Sequence, residues 1–450
     1  MELLRLSEIA DACGGIYNND CNINGVCIDT RKITEGCLFI CIKGERFDAH
    51  QFADEALKKG AAAVMIHSDV NISGNYVKVE NTSQALLTLG GYYRSKFNIP
   101  LVALTGSVGK TTTKEFTHLV VNSKYNAVKT LGNLNNEIGL PQMLFCIDNS
   151  TQAAVIEMGM NHFGEIHRLS AAAKPTMALI TNIGVSHIEN LGSREGILKA
   201  KLEILDGLEK NAPLILNADN DLLKNVKSDD YRVYFYGIEN GDFKAENISE
   251  ENGSTIFDVS YFGKTEKIEI PTIGIHNVYN ALAAFAVGYF LDIPSKQCAD
   301  ALKCYVPEGM RQKSVNINGI TSIEDCYNAS PDSMKAALTT LAGTHGNKKI
   351  AVLSDMLELG DYSKQAHIDV GALAADMNID FLLAVGKMSE YIVDGAREKG
   401  MKNAFHFDSK DKLAEKLIEI AEKGDTVVFK ASRGMKLEDV IHIAYDRWEK

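Results

Sequence analysis

The feature that most constrains this chain lies near the end of its first quarter. The apolar run Leu101 to Leu104 leads directly into Thr105-Gly106-Ser107-Val108-Gly109-Lys110-Thr111-Thr112-Thr113. A short apolar run, a glycine-rich turn and a helix-like stretch read as strand, loop and helix. In such a loop the backbone N–H groups of Gly106, Ser107, Val108 and Gly109 can close around phosphate oxygens, and the following helix offers its positive end. Lys110 can then reach the β and γ phosphates, and the Thr111 hydroxyl can ligate Mg²⁺, with Thr112 completing the lip. The strict spacing places a glycine six residues before the lysine, where this chain has Leu104. A unit of this kind is stable only within a mainly parallel sheet covered by helices. Further apolar runs at Ala153 to Ile156, Met177 to Thr181 and Pro213 to Leu216, with helical segments between them, supply the neighbouring strands.

With 450 residues, the chain is too long for one core and predicts two or three domains. The stretch before Asn98-Ile99-Pro100 mixes β-rich runs, Gly36 to Ile42 and Ala61 to His67, with helical patterns at Gln51 to Lys59 and Ser83 to Phe97. A second break is expected at Pro307-Glu308-Gly309-Met310-Arg311, a hinge extending to Gln312. Beyond it, runs at Ile320 to Glu324, Ile350 to Ser354, Phe381 to Val385 and Thr426 to Phe429 alternate with helices, as in a Rossmann-like domain. The expected blocks are therefore residues 1–98, 99–312 and 313–450, all α/β.

A formal net charge of -12 argues against broad contact with nucleic acid or an anionic membrane. An anionic substrate would need local positive charge in a pocket. The longest apolar run, Leu282 to Leu291, contains Gly288 and falls short of the roughly 20 residues that span a bilayer. Residues Met1 to Gly15 carry only Arg5 as a basic side chain and no continuous apolar segment, so no signal peptide is read and a cytoplasmic location is expected. Nine cysteines, five of them before residue 42 and none in a CxxC pair, indicate neither a disulfide framework nor a zinc site.

Phosphoryl chemistry calls for metal ligands at the ends of the central strands. Glu157 ends the run Ala153-Ala154-Val155-Ile156, and His187 follows the run ending Thr181-Asn182-Ile183-Gly184. Ser193 to Leu205 reads as a helix whose lysines would ordinarily face solvent, and nothing in its pattern singles out Lys201.

These segments, with several others, resemble the Mur ligase family. The matching residues are Thr105 to Glu115, Gly132-Asn133-Leu134-Asn135-Asn136-Glu137-Ile138-Gly139-Leu140-Pro141, Glu157-Met158-Gly159-Met160-Asn161 and Asn182 to His187. The likeness continues through Lys199-Ala200-Lys201, Gly274 to Ala281, Arg311, Asp325 to Ser333 and Leu353 to Gly360, while Asp29-Thr30-Arg31 and Gly36 to Phe52 resemble the family's UDP-binding domain. Thr30 stands where serine is the commoner residue. The resemblance implies a small α/β UDP-binding domain, a central P-loop ATPase domain and a C-terminal Rossmann-like ligase domain.

It also implies roles. Lys110 and Thr111 would serve ATP and Mg²⁺, Glu157 and His187 would ligate magnesium, and Lys201 would be a carbamylated lysine supporting a two-ion site. Asn277 and Asn280 would contact adenine, and Arg311 and Asp325 the ribose and phosphates. Thr30 and Arg31 would meet the UDP end, and Asn133, Asn135 and Asn136 the acceptor region. Asn328, Ser330, Asp332 and Asp355 would lie near the amine. The branch most resembled adds D-alanyl-D-alanine to UDP-N-acetylmuramoyl-tripeptide as a monomer. The branch that adds a single amino acid is the alternative, but its Asp-Asn-Pro-Arg-like motif is missing here. A P-loop switch without ligase activity is a third reading, which the missing Asn-Lys-x-Asp guanine motif disfavours.

Overall fold

The computed structural model describes residues 1–45, 47–307 and 309–449. Arg46, within the UDP-domain resemblance, Glu308, within the expected second break, and Lys450 lie outside the described residues. Among the described residues the strands form sheets of five, nine and six strands, with a two-stranded ribbon joining Leu4–Arg5 to Asn22–Ile23. This is the three-domain α/β arrangement expected from the sequence.

The first sheet runs in the order Ile16–Tyr17, Tyr76–Lys78, Ala63–Ile66, Cys37–Ile40, Gly25–Cys27, and all pairs are parallel except the first. Cys37–Ile40 and Ala63–Ile66 are buried at every position. That burial explains why they read as short continuous apolar runs without alternation.

The central sheet places Leu101–Thr105 between Ala153–Glu157 and Met177–Ile180, with Ala127–Lys129 beyond the first neighbour and Pro213–Asn217 beyond the second. All of these strands are parallel, so their carboxyl ends open onto one edge. The phosphate loop, Glu157 and the segment leading to His187 all leave from that edge. Past Pro213–Asn217 the sheet continues through Arg232–Gly237 and then Phe243–Glu251, Ser254–Tyr261 and Lys264–Ile270, the last three linked antiparallel. This antiparallel extension departs from the plain alternation expected. Its middle strand carries a period-two pattern in which Thr255, Phe257, Val259 and Tyr261 are buried.

Helix Ile275–Phe290 covers one face of the central sheet and is buried along most of its length. Phe285 is 1% exposed and its ring meets those of Phe243 and Tyr261. It shares a core with Val102, Leu104 and Phe116. The opposite face belongs to a cluster that also takes in Leu4, Leu6, Leu86 and Tyr93 of the first domain. Tyr93 donates its hydroxyl to the Ile147 carbonyl at 2.6 Å. The first and central domains are thus welded through one hydrophobic mass.

The C-terminal sheet runs Lys313–Ile317, Ile320–Glu324, Thr426–Lys430, Lys349–Ser354, Phe381–Val385, Ala404–Phe407, and only its first pair is antiparallel. Its two faces carry separate clusters, one around Leu338, Leu353 and Ile392 and the other around Leu413, Phe429 and Ile441.

Truncation of Phe285 to Ala should cost about 3–5 kcal/mol by the lost transfer energy and the cavity left behind. A markedly lower denaturant midpoint for the central domain is the expected result. An unchanged midpoint would mean that this aromatic cluster does not hold the antiparallel extension onto the sheet.

Candidate active site between the central and C-terminal domains

The phosphate loop is shaped by two glycines. A Cβ at Gly106 would fall 1.8 Å from Thr181 Oγ1, so the loop can lie against the neighbouring strand only if this residue is glycine. Gly109 adopts φ 80° at the cap of helix Lys110–Asn122, a left-handed conformation that glycine takes without penalty. The loop is braced from behind, since Asn182 Oδ1 accepts from the N–H groups of Ser107 and Val108 at 3.1 and 2.9 Å.

The helix that starts at Lys110 presents Thr111 to the next strand end. Thr111 donates its hydroxyl to Glu157 Oε2 at 3.0 Å, and Asn135 Nδ2 donates to Oε1 of the same carboxylate at 2.8 Å. Lys110 Nζ donates to the Gly106 carbonyl at 2.8 Å. Desolvation inside the site lowers the Lys110 pKa, nearby Glu157 partly opposes this, and Arg311 adds to it.

These groups line a cavity of ≈ 480 Å³ whose walls come from both the central and the C-terminal domain. Ser107 to Thr112, Asn133, Asn135, Asn136, Glu157, His187, Asn277, Asn280, Arg311, Asp325, Asn328 and Ser330 all border it. Asn277 and Asn280 sit one helical turn apart and are bonded to each other at 3.3 Å, while Asn280 Oδ1 accepts from the Thr113 hydroxyl at 2.9 Å. The Arg311 guanidinium lies 3.9 Å above the Tyr327 ring. Asp325 pairs with the buried Lys430 at 2.8 Å.

Other candidates lie off the cavity wall. Lys201 is 2% exposed behind it, and burial followed by repulsion from Lys110 pushes its pKa well down. Asp355 is buried, and its Oδ1 accepts from the N–H groups of Ser389 and Met388 at 2.8 and 3.1 Å, so this carboxylate ties down a loop of its own domain. Asp332 fills the space beside Gly184, where a Cβ would come within 2.0 Å of Oδ2. Burial raises its pKa, against the pull of Arg194. Thr30 and Arg31 lie in the first domain, where Arg31 forks onto Asp29 at 2.8–3.2 Å.

Lys430 and Tyr327, which carry no role in the sequence, also border the cavity, as does Gln312, expected only as the end of a hinge. Lys430 ends the strand Thr426–Lys430 just as Glu157 ends its own, but a search of the central strands for metal ligands passes over a lysine in the C-terminal sheet. Gln312 takes φ 52° and accepts from Asn277 Nδ2 at 3.1 Å while contacting His276 at 2.7 Å, a role that only the folded linker reveals.

Comparison with known proteins bears on the same three regions. Family models match residues 22–94 (Mur ligase family, catalytic domain), 104–288 (Mur ligase middle domain) and 310–433 (Mur ligase, glutamate ligase domain). The UDP-N-acetylmuramoyl-tripeptide--D-alanyl-D-alanine ligase of Bacillus subtilis is 42% identical over 93% of this chain and 92% of its own length. The enzyme of the same name from Escherichia coli is 37% identical over 97% of each. Among solved structures, MurF from Acinetobacter baumannii superposes with a TM-score of 0.94 at 30% identity over the full length of both chains. MurF from Thermotoga maritima in complex with ADP gives 0.87 at 29% identity, covering 95% of this chain and 98% of its own. With every domain matched in order and identity of this level sustained end to end, the chain belongs to the Mur ligase family.

Proposed function

We propose that the chain is the ATP-dependent ligase that joins D-alanyl-D-alanine to UDP-N-acetylmuramoyl-tripeptide, giving ADP, phosphate and the UDP-linked pentapeptide. The observation that carries this reading is the 42% identity, over nearly the whole of both chains, to a relative bearing that name. The cavity supports it independently, because phosphate loop, acidic strand end and C-terminal cations face one space. Domain boundaries near residues 98 and 312 accord with the three sheets.

The reaction must activate a carboxylate. One carboxylate oxygen of the tripeptide attacks the γ-phosphorus of ATP, the bond to the β,γ-bridging oxygen breaks, and ADP leaves an acyl phosphate. The dipeptide amine then adds to the acyl carbon, and the tetrahedral intermediate expels phosphate. Both partners of the first step are anions, so Lys110 screens their approach, and the loop amides other than those of Ser107 and Val108, which Asn182 already engages, face the phosphate oxygens. Asn277 and Asn280 hold the adenine, while Arg311 and Asp325 meet the ribose and phosphates from across the domain boundary. Thr30 and Arg31 receive the UDP end, and Asn133 and Asn136 the acceptor. Asn328 and Ser330 lie on the wall that the amine approaches, with Asp332 and Asp355 shaping the segments behind it.

The residues present suit magnesium. Among the described residues no cluster of three His, Cys, Asp or Glu side chains stands ready to hold a metal ion. Mg²⁺ commonly takes one or two protein ligands and completes its shell with water and nucleotide phosphate. Thr111 and Glu157, with His187 on the same wall, would hold it, and bound there it would neutralise charge on the transferring phosphoryl group. Lys201 suits carbamylation, because burial disfavours its charged form, and an amine in its neutral form that attacks CO₂ releases a proton and becomes an anionic carbamate. That anion would support a second ion where a cationic lysine could not.

The ligase is expected to act as a monomer. No helix among the described residues is long and apolar enough to cross a membrane. The cytoplasm, which holds ATP, is the compartment this chemistry needs.

Phosphate release should require ATP, Mg²⁺, UDP-N-acetylmuramoyl-tripeptide and D-alanyl-D-alanine together, with a UDP-pentapeptide mass as product. Turnover with a single amino acid on the UDP-dipeptide would move the chain to the other branch. Substituting Gly106→Ala should weaken ADP binding by at least about ten-fold, or 1.4 kcal/mol, in calorimetric titration. Unaltered affinity would remove this loop from the nucleotide site. For Lys201→Ala, near-complete loss of turnover with partial restoration by short carboxylic acids is expected, whereas normal turnover would exclude the carbamate.

A further inference from the structure

Three contacts from the C-terminal domain converge on one loop of the central domain. The loop, residues 183–189, lies against the phosphate loop: Gly184 N–H donates to Ser107 Oγ at 2.9 Å and the Ser107 N–H donates to the Asn182 carbonyl at 3.0 Å. Asp332 packs on Gly184, leaving no room for a Cβ. Gly360 lies so close to Glu189 that a Cβ there would meet the Glu189 Cβ at 3.3 Å. Between them Glu358 reaches across, placing Oε2 2.7 Å from His187 Nδ1.

The Glu358–His187 contact is unusual in its backbone. Both residues take left-handed conformations, His187 at φ 62° and Glu358 at φ 64°. Neither is glycine, and such a conformation costs about 1–2 kcal/mol at each position. The two strained residues face each other across the domain boundary.

The segment that carries Glu358 is fixed within its own domain. Met356 N–H donates to His367 Nε2 at 3.0 Å, Leu357 N–H donates to Ser432 Oγ at 2.9 Å, and the Leu359 side chain is 2% exposed. The carboxylate is therefore presented by a rigid support, while half its side chain remains open to solvent. His187 Nδ1 is itself buried, has no aligned hydrogen-bond partner, and has this carboxylate beside it.

We propose that Glu358 is a positioning residue for His187, delivered by the C-terminal domain, so that the metal-facing imidazole is oriented only when the two domains close. This rests on the reading of His187 as a magnesium ligand. A ligating histidine generally gives its other ring N–H to a carboxylate or carbonyl, which fixes the tautomer and the ring plane. Here that carboxylate comes from a different domain. Domain closure, which brings the amine-binding wall over the phosphates, therefore also sets the metal ligand. An acyl phosphate would then form efficiently only in the arrangement that shields it from water.

The test is Mn²⁺ affinity, measured by electron paramagnetic resonance on the whole protein with ADP, for wild type, Glu358→Gln, Glu358→Asp and His187→Ala. Loss of such a supporting carboxylate typically costs 10–100-fold in metal affinity. A drop of about ten-fold is expected for Glu358→Gln, with ADP affinity in the absence of metal unchanged. Glu358→Asp should recover part of the loss, because it keeps the charge; a purely structural surface change would not grade in this way. Wild-type Mn²⁺ affinity in Glu358→Gln together with a large loss in His187→Ala would overturn the positioning role and leave the metal-site reading intact. Unchanged affinity in both variants would overturn the metal-site reading and this inference with it.

Discussion

The active site is built around two lysines, Lys110 and Lys201, set in a desolvated space that lowers the pKa of both, with Lys110 adding to the effect on Lys201. Two ammonium groups cannot both stay charged there at low cost. Lys110 is relieved by Glu157 and is pressed further by Arg311. For Lys201 burial and the neighbouring Lys110 both act against the charged form. Nucleotide phosphates answer the Lys110 side of the problem, and a carbamate would answer the other. The chain's net charge of -12 is irrelevant at this scale, because a pocket's potential is set by groups a few ångströms away.

The same fact explains why the sequence revealed some residues and hid others. Glu157 was legible because it ends a fully buried strand, where a carboxylate needs a reason to be present. The phosphate loop was legible because its geometry is local, written in Gly106, Gly109 and the residues between them. Lys201 was not, since it sits in the helix Arg194–Leu202 with a spacing equally suited to a solvent-facing lysine. Only the tertiary fold buries it, and its place in the argument came from family likeness. Asp332 and Asp355 show the same limit in reverse. Both stand in turn-like segments from which a carboxylate could reach a substrate, yet one wedges against Gly184 and the other caps its own domain's loop. The antiparallel strands after Arg232–Gly237 did leave a trace, the alternation from Thr255 to Tyr261, but it lay in a polar stretch easily passed over as connection.

The domains are not joined alike. The first and central domains share one hydrophobic cluster, sealed by Tyr93 and by the close approach of Gly90 to Pro141. Separating them would expose a core. The C-terminal domain has two clusters of its own, one of which Val185 of the central domain packs against, and otherwise meets the central domain through polar side chains around the cavity and the 183–189 loop. Polar contacts of this kind can exchange with water at modest net cost, whereas a hydrophobic seam cannot. Any relative motion is easier at the second boundary, where Gln312 adopts a left-handed φ and accepts a hydrogen bond from Asn277.

This division of joints fits the order in which the chemistry must proceed. A large nucleotide-linked acceptor can be held by a rigid pair of domains, since its carboxylate has only to meet the γ-phosphate. The amine can react only once the acyl phosphate exists, and such an intermediate must be kept from water meanwhile. A mobile third domain that brings both the amine-side wall and a charged contact to the loop beside the phosphates satisfies both demands. Its polar seam is then a requirement: a hydrophobic one would close the site permanently, and product could not leave.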